Sequence, residues 1–199
     1  LVIRSVRCRN IRSKIVVYRL FREGPEQHLG EIMDTIEIVP IRDEHVESFH
    51  RALDTVARER RYLSFLEAAP VEATRAFVRD NIDNGFPQVV ALSENDVVGW
   101  CDVMRKARPV HAHVGVLGMG LLPDFRGQGL GSRLIGRALD AAKEFGFHCV
   151  ELSVRADNSN TIALYRKTGF ELEGRLRNGV YVDDAYSDLM LMGILLRRA

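Results

Sequence analysis

The sequence predicts a mixed α/β (α+β) domain on three observations. Short apolar runs of strand length recur along the chain. Between them lie segments with apolar residues at helical spacing, bounded by capping residues, prolines or glycines. Their order is strand, two helices, several strands, helix, strand, helix, strands, with no repeat and no low-complexity linker.

Ile36 to Ile41 alternates apolar and polar residues and reads as an opening strand. Asp43 is placed to cap a helix running to about Arg61, with Val46, Phe49, Leu53 and Val56 or Ala57 on one face. Tyr62 to Ala69 reads as a loop. Pro70 can open a second helix that runs to about Asp83, and Asn84-Gly85 stops it. Gln88–Ser93 and Val97 to about Arg105 read as a hairpin around the polar turn Glu94-Asn95-Asp96. Residues 110–122 read as a long buried strand. Its Gly115, Gly118 and Gly120 suggest a bulge or a close backbone approach. A helix from about Gln128 to Phe145 shows an apolar face of Leu130, Leu134, Ile135, Ala138, Leu139 and Ala142, and Gly146 caps it. Cys149–Arg155 is a strand, 159–168 a short helix ended by Gly169. Phe170–Leu176 and Tyr186–Leu196 are strands around a loop containing Gly179.

Composition narrows the function classes. A chain of 199 residues suits one domain with a short appendage, and it can bury a core without metal or disulfide staples. The formal net charge of +1 argues against a dedicated nucleic-acid binder. Cys8, Cys101 and Cys149 are far apart and show no Cys-x-x-Cys spacing, so neither a disulfide framework nor a metal site is expected. Free thiols fit a reducing, cytoplasmic setting. No apolar run approaches the roughly 20 residues that span a membrane, so no membrane partner is expected. Residues 1–35 stand apart as a basic N-terminal extension, with the working domain over 36–199. Arg4, Arg7, Arg9, Arg12, Lys14, Arg19 and Arg22 occur before the first acid, Glu23. That composition suits a transit peptide or a basic arm, and a terminal segment docked on the core is the other reading.

The chemistry concentrates in one turn. Arg126-Gly127-Gln128-Gly129-Leu130-Gly131-Ser132 joins a buried strand to a helix N-terminus. The first turn of a helix has unpaired N–H groups and a positive dipole end. Glycines let the backbone approach an anion, and arginine adds a charged donor fork. The turn therefore suits a phosphate or pyrophosphate. A dinucleotide fingerprint fits poorly, because the sixth position from Gly127 is Ser132 and the acid expected downstream would be Glu151. A P-loop fits less well, since the turn has no lysine. The acyl-CoA turn, Arg or Gln-x-x-Gly-x-Gly or Ala, fits fully. A tight strand–helix corner without a ligand is the bland alternative.

Two ordered motifs then carry a family resemblance. One is the turn from Arg126 to Gly131, following a strand that ends Gly118-Met119-Gly120-Leu121-Leu122-Pro123. The other, about 30 residues on, is Asn158-Ser159-Asn160-Thr161-Ile162-Ala163-Leu164-Tyr165-Arg166-Lys167-Thr168-Gly169-Phe170. Over residues 36–196 the chain resembles the GNAT superfamily of acetyl-CoA-dependent N-acetyltransferases. The resemblance implies a central, mostly antiparallel twisted sheet flanked by helices, with the fourth and fifth strands splayed around the pantetheine arm. It implies acetyl-CoA as co-substrate and no metal. Met119, Leu121 and Asn158 would meet the arm, and Arg126, Gly127, Gln128, Gly129, Leu130, Gly131 and Ser132 the pyrophosphate. Tyr165 would act as general acid.

The base is open at this point. The fourth strand has no acid, which leaves His113 ahead of His111, with Glu67 and Asp102 as other candidates. The acceptor pocket is expected from Tyr62, Phe65, Glu67, Trp100, Asp102, Tyr181, Asp183 and Asp184. Acids there would attract a cationic amine. The acceptor is expected to be a small-molecule primary amine such as an amino acid. A protein N-terminus of the ribosomal-protein type and a non-catalytic CoA-binding regulatory module are the alternatives. The resemblance also admits a homodimer, with no interface readable in the sequence.

Overall fold

The computed structural model describes residues 36–196, so the expectations for residues 1–35 and for Cys8 lie outside the described residues. Seven strands form one sheet in the order β1-β2-β3-β4-β5-β7-β6. They are β1 (Glu37–Pro40), β2 (Gln88–Ser93), β3 (Asp96–Arg105), β4 (Val114–Leu121), β5 (Cys149–Arg155), β6 (Glu171–Val182) and β7 (Ala185–Leu195). The helices are α1 (Val46–Arg58), α2 (Val71–Asn84), α3 (Leu130–Phe145) and α4 (Ser159–Lys167).

All neighbouring strands are antiparallel except β4 and β5. That parallel pair is short: Val114↔Cys149, Gly115↔Val150 and Val116↔Glu151. Beyond Val116 the two strands diverge, and the β5-facing edge of β4 has no sheet partner. This is the expected splay, and it positions the site.

Side chains alternate between the two faces along β3. Trp100 packs edge-on against Phe49 of α1, with ring centroids 5.5 Å apart. A Cβ on the preceding Gly99 would instead stand 3.2 Å from Leu134 of α3. Helices α1 and α3 therefore cover opposite faces. Of the apolar positions of α3 expected from its spacing, Leu130, Leu134, Ile135, Ala138 and Ala142 are fully buried and Leu139 is half-buried.

Four elements differ from expectation in their bounds. Asp43 does not cap α1; it opens a 3₁₀ turn, Asp43–His45, where His45 Nδ1 accepts a hydrogen bond from the Arg42 amide at 3.1 Å. Helix α1 then stops at Arg58, and Arg60 takes a left-handed φ of 55°. Strand β4 begins at Val114, because Pro109–His111 forms a second 3₁₀ turn. Strands β6 and β7 are longer than expected and meet in a tight turn at Asp183-Asp184, with φ of 51° and 59°. Two positive φ values suit the right-handed twist of a two-residue hairpin. Gly179 lies inside β6, at an irregularity between Leu176 and Val180, and not in a loop.

Candidate active site

The turn after β4 leaves backbone amides open. Gly127 and Gly129 hold left-handed φ values of 75° and 83°, where a side chain is strained. Gly129 is the N-cap of α3 and offers no side-chain cap, and the first turn carries no acid. Those uncapped amides, at the positive end of a 16-residue helix, fit an anionic group such as a pyrophosphate. Two expected contributors turn their side chains elsewhere. Gln128 Nε2 donates to the Asp124 carbonyl at 2.8 Å, and the Leu130 side chain is buried in the core.

The turn opens into a cavity of about 550 Å³ at the splay. That volume is of the size that holds a cofactor-sized ligand. Met119 and Leu121 wall it from β4, and Ser153 and Val154 from β5. Gly127, Gly129, Gly131 and Ser132 line it from the turn, and Asn158, Leu164 and Tyr165 from α4 and its cap. Asn158 is buried, and its Oδ1 accepts from the Thr161 amide at 3.3 Å, capping α4. Its side-chain oxygen thus fixes the helix that carries Tyr165.

Tyr165 is 6% exposed, with its ring 5.7 Å from Phe170. Burial pushes its phenol above the ordinary value of 10, and the nearby Cys101 and Asp102 add to the shift. Asp102 stands on β3 opposite Gly118 of β4, behind the strand that walls the cavity and not among the residues that line it. The residue keeps some surface, yet burial of its carboxyl raises the pKa to about 7. A carboxyl poised there exchanges protons near neutrality. The carboxyl is close enough to the phenol to help hold it protonated.

Arg126 lines the cavity, but its guanidinium points into protein. Nε donates to the Leu121 carbonyl at 2.9 Å and Nη1 to Glu59 Oε2 at 2.8 Å. The ring of Tyr62 lies 4.6 Å from the guanidinium carbon.

The remaining expected residues disperse. His113 is exposed in the turn before β4, at the end where β4 and β5 are still paired. Its carbonyl accepts from the His148 amide at 2.8 Å, and it does not line the cavity. Periodicity alone did not separate the 3₁₀ turn from the strand, which is why His113 read as a strand residue. Trp100 is a core residue, 2% exposed. Glu67 lies on the surface, in an ion pair with Arg58 at 3.6 Å. Tyr181 stands exposed on the β6–β7 hairpin, its ring tilted against that of Tyr186 with centroids 4.7 Å apart and its hydroxyl donating to Asp184 Oδ1 at 2.9 Å. Sequence reasoning missed Glu59 and Arg60, since each follows a helix end with no local pattern to mark it. Among the described residues no group of His, Cys, Asp or Glu is arranged to hold a metal, and no helix is long and apolar enough to cross a membrane.

Comparison with known proteins identifies this arrangement. Residues 40–170 match the model of the acetyltransferase (GNAT) family. The L-amino acid N-acetyltransferase AaaT of Escherichia coli is 34% identical over 108 residues, covering 51% of this chain and 67% of that protein. The N-alpha-acetyltransferase RimI of Mycobacterium tuberculosis is 36% identical over 101 residues, covering 50% of this chain and 62% of that protein. The chain thus spans about two thirds or less of the length of these relatives. The fold of yncA, a putative acetyltransferase from Salmonella typhimurium solved with its cofactor acetyl-CoA, superposes with a TM-score of 0.78 at 16% identity, covering 82% of this chain and 95% of that one. The open amides, the splay and these matches agree: the chain belongs to the GNAT family, as an acetyl-CoA-dependent N-acetyltransferase domain.

Proposed function

We propose that the acceptor is the primary amine of a small molecule, an amino acid foremost, and that Asp102 and Tyr165 carry its proton transfers. The observation that supports this most is the Asp102 carboxyl, with a pKa raised to about 7, beside the buried phenol of Tyr165. Acetyl-CoA supplies the acetyl group as an activated thioester.

An ammonium must lose a proton before its nitrogen can attack. For an α-amine of pKa about 8 this costs roughly 1 kcal/mol at pH 7, against about 4–5 for a lysine. A carboxylate with a pKa of about 7 accepts that proton nearly isoenergetically, directly or through one water. Its charge also draws a cation into the groove.

Tyr165 serves the departing sulfur. A phenol held above its ordinary pKa stays protonated at working pH and remains a hydrogen-bond donor. Full transfer to a thiolate, whose conjugate acid has a pKa of about 8.5, is uphill in water. It becomes less so as the sulfur is desolvated in the same cavity. Donation from Tyr165 therefore stabilises the charge where it develops. On the other side, β4 backbone groups beyond Val116 that point away from β3, on the edge without a β5 partner, are available to the pantetheine arm and the thioester carbonyl.

The test is thiol release from acetyl-CoA with three classes of acceptor: the twenty L-amino acids, spermidine and an Ala-initiated peptide. Turnover with amino acids is expected. Turnover with the peptide alone would favour the protein N-terminal reading, supported by the likeness to RimI. Binding of acetyl-CoA without turnover on any amine would favour the regulatory module.

A further inference from the structure

The residues just after α1 make ion pairs to two distant segments, the cofactor turn and the β6–β7 hairpin. Glu59 takes the Arg126 guanidinium in a two-pronged pair, 67 positions away in sequence. Tyr62 lies under the same guanidinium at 4.6 Å. Arg60, whose left-handed backbone turns its side chain away from that of Glu59, donates from Nε to both oxygens of Asp183, at 2.9 and 3.1 Å. Asp183 is the first residue of the β6–β7 turn.

Arg126 is also nearly saturated. A guanidinium has five N–H donors. Four of them are engaged, two by the Leu121 carbonyl and two by Glu59. Both partners of the Arg126–Glu59 pair are less than a third exposed. The Arg126 charge is thus neutralised inside the protein, and the anion at the turn is left to the backbone amides.

We propose that Glu59 and Arg60 are positioning residues for acetyl transfer. Glu59, through Arg126, seats the segment after α1 on the cofactor turn. Arg60, through Asp183, ties the same segment to the β6–β7 hairpin. Together they fix the segment after α1, whose Arg61 and Tyr62 line the cavity, relative to the cofactor cradle and the hairpin. The inference rests on the acetyl-transfer reading above. It carries a sign that a merely structural role lacks. Removing the Glu59 charge frees the Arg126 cation beside the cradle, so acetyl-CoA binds as tightly or more tightly while the segment after α1 loosens.

The test uses Glu59→Gln, Arg60→Gln, Asp183→Asn and the Arg60→Gln/Asp183→Asn double variant of the full chain. Three quantities are read: the acetyl-CoA dissociation constant, hydrogen exchange over residues 59–66 and 181–186, and KM for an equimolar mixture of the twenty L-amino acids. For Glu59→Gln the acetyl-CoA constant is expected unchanged or lower, with KM raised about tenfold at little change in kcat. Exchange over residues 59–66 is expected to quicken about tenfold in each single variant, and over 181–186 in Arg60→Gln and Asp183→Asn, which break the link to the hairpin. The double variant should be no worse than either of its singles, because they break the same link. Weaker acetyl-CoA binding by Glu59→Gln, unchanged exchange in the singles, or additive effects in the double variant would overturn the proposal. Wild-type protein that binds acetyl-CoA without thiol release would instead overturn the acetyl-transfer reading, and the binding and exchange measurements would still decide the role of Glu59 and Arg60.

Discussion

The Asp102 carboxyl rests against the backbone of Gly118: a Cβ on that glycine would stand 3.1 Å from Asp102 Oδ1. The two are cross-strand partners in β3 and β4. The missing side chain at 118 leaves room for the carboxyl, whose burial raises its pKa to about 7.

Asp102→Asn should therefore lower kcat/KM by about 10²–10⁴-fold, the usual worth of a general base. In wild-type protein kcat/KM should climb with pH and bend near 7, where the carboxyl ionises. The variant should lose that bend while binding acetyl-CoA normally. A retained bend would move the base elsewhere.

Stability should move the other way. The Asp102 pKa is about 7 when folded and near 3.9 when unfolded, so the folded state holds the extra proton between those values. Wild-type stability then falls as pH rises from about 4 to 7, by up to about 4 kcal/mol. Asp102→Asn removes this penalty. Denaturant unfolding should find the variant the more stable of the two at pH 8, with the gap closed near pH 4.

Tyr165→Phe keeps the ring against Phe170 and deletes only the donor. We expect kcat to drop about 10²-fold or more with the acetyl-CoA dissociation constant within a factor of two. A large loss of acetyl-CoA affinity would mark the hydroxyl as a binding group instead.

Trp100 should behave as core. Trp100→Ala should cost about 3–5 kcal/mol in denaturant unfolding, as for other large buried aromatics. Gly120→Ala should also destabilise, by about 1–3 kcal/mol, because the new Cβ would fall 2.2 Å from the indole ring. A Trp100→Ala variant of wild-type stability and altered acceptor preference would return Trp100 to the acceptor pocket.

Much of this was legible in the sequence. The Arg126–Ser132 turn combines glycines required by backbone angle with a helix start, and both leave a local pattern. Tyr165 and Asn158 came with the second motif, and they line the same cavity as the turn. The acceptor side was harder to read. Trp100 and Asp102 share one face of β3, yet Trp100 fills the core against Phe49 while the Asp102 carboxyl lies against Gly118 of β4. His113 depended on where β4 begins, and a 3₁₀ turn moved that boundary. The Glu59–Arg126 and Arg60–Asp183 pairs join residues 67 and 123 positions apart, a distance over which a single sequence carries no signal.

The most direct measurement is thermal unfolding of the protein with saturating acetyl-CoA, beside ATP and NAD at equal concentration. A ligand at 100 times its dissociation constant adds about 2.7 kcal/mol, or roughly 5–10 °C for a domain of this size. The turn and splay predict that rise with acetyl-CoA alone. A rise with ATP or NAD and none with acetyl-CoA would contradict the assignment of the Arg126–Ser132 turn, and with it the acetyl-transfer chemistry built on Asp102 and Tyr165.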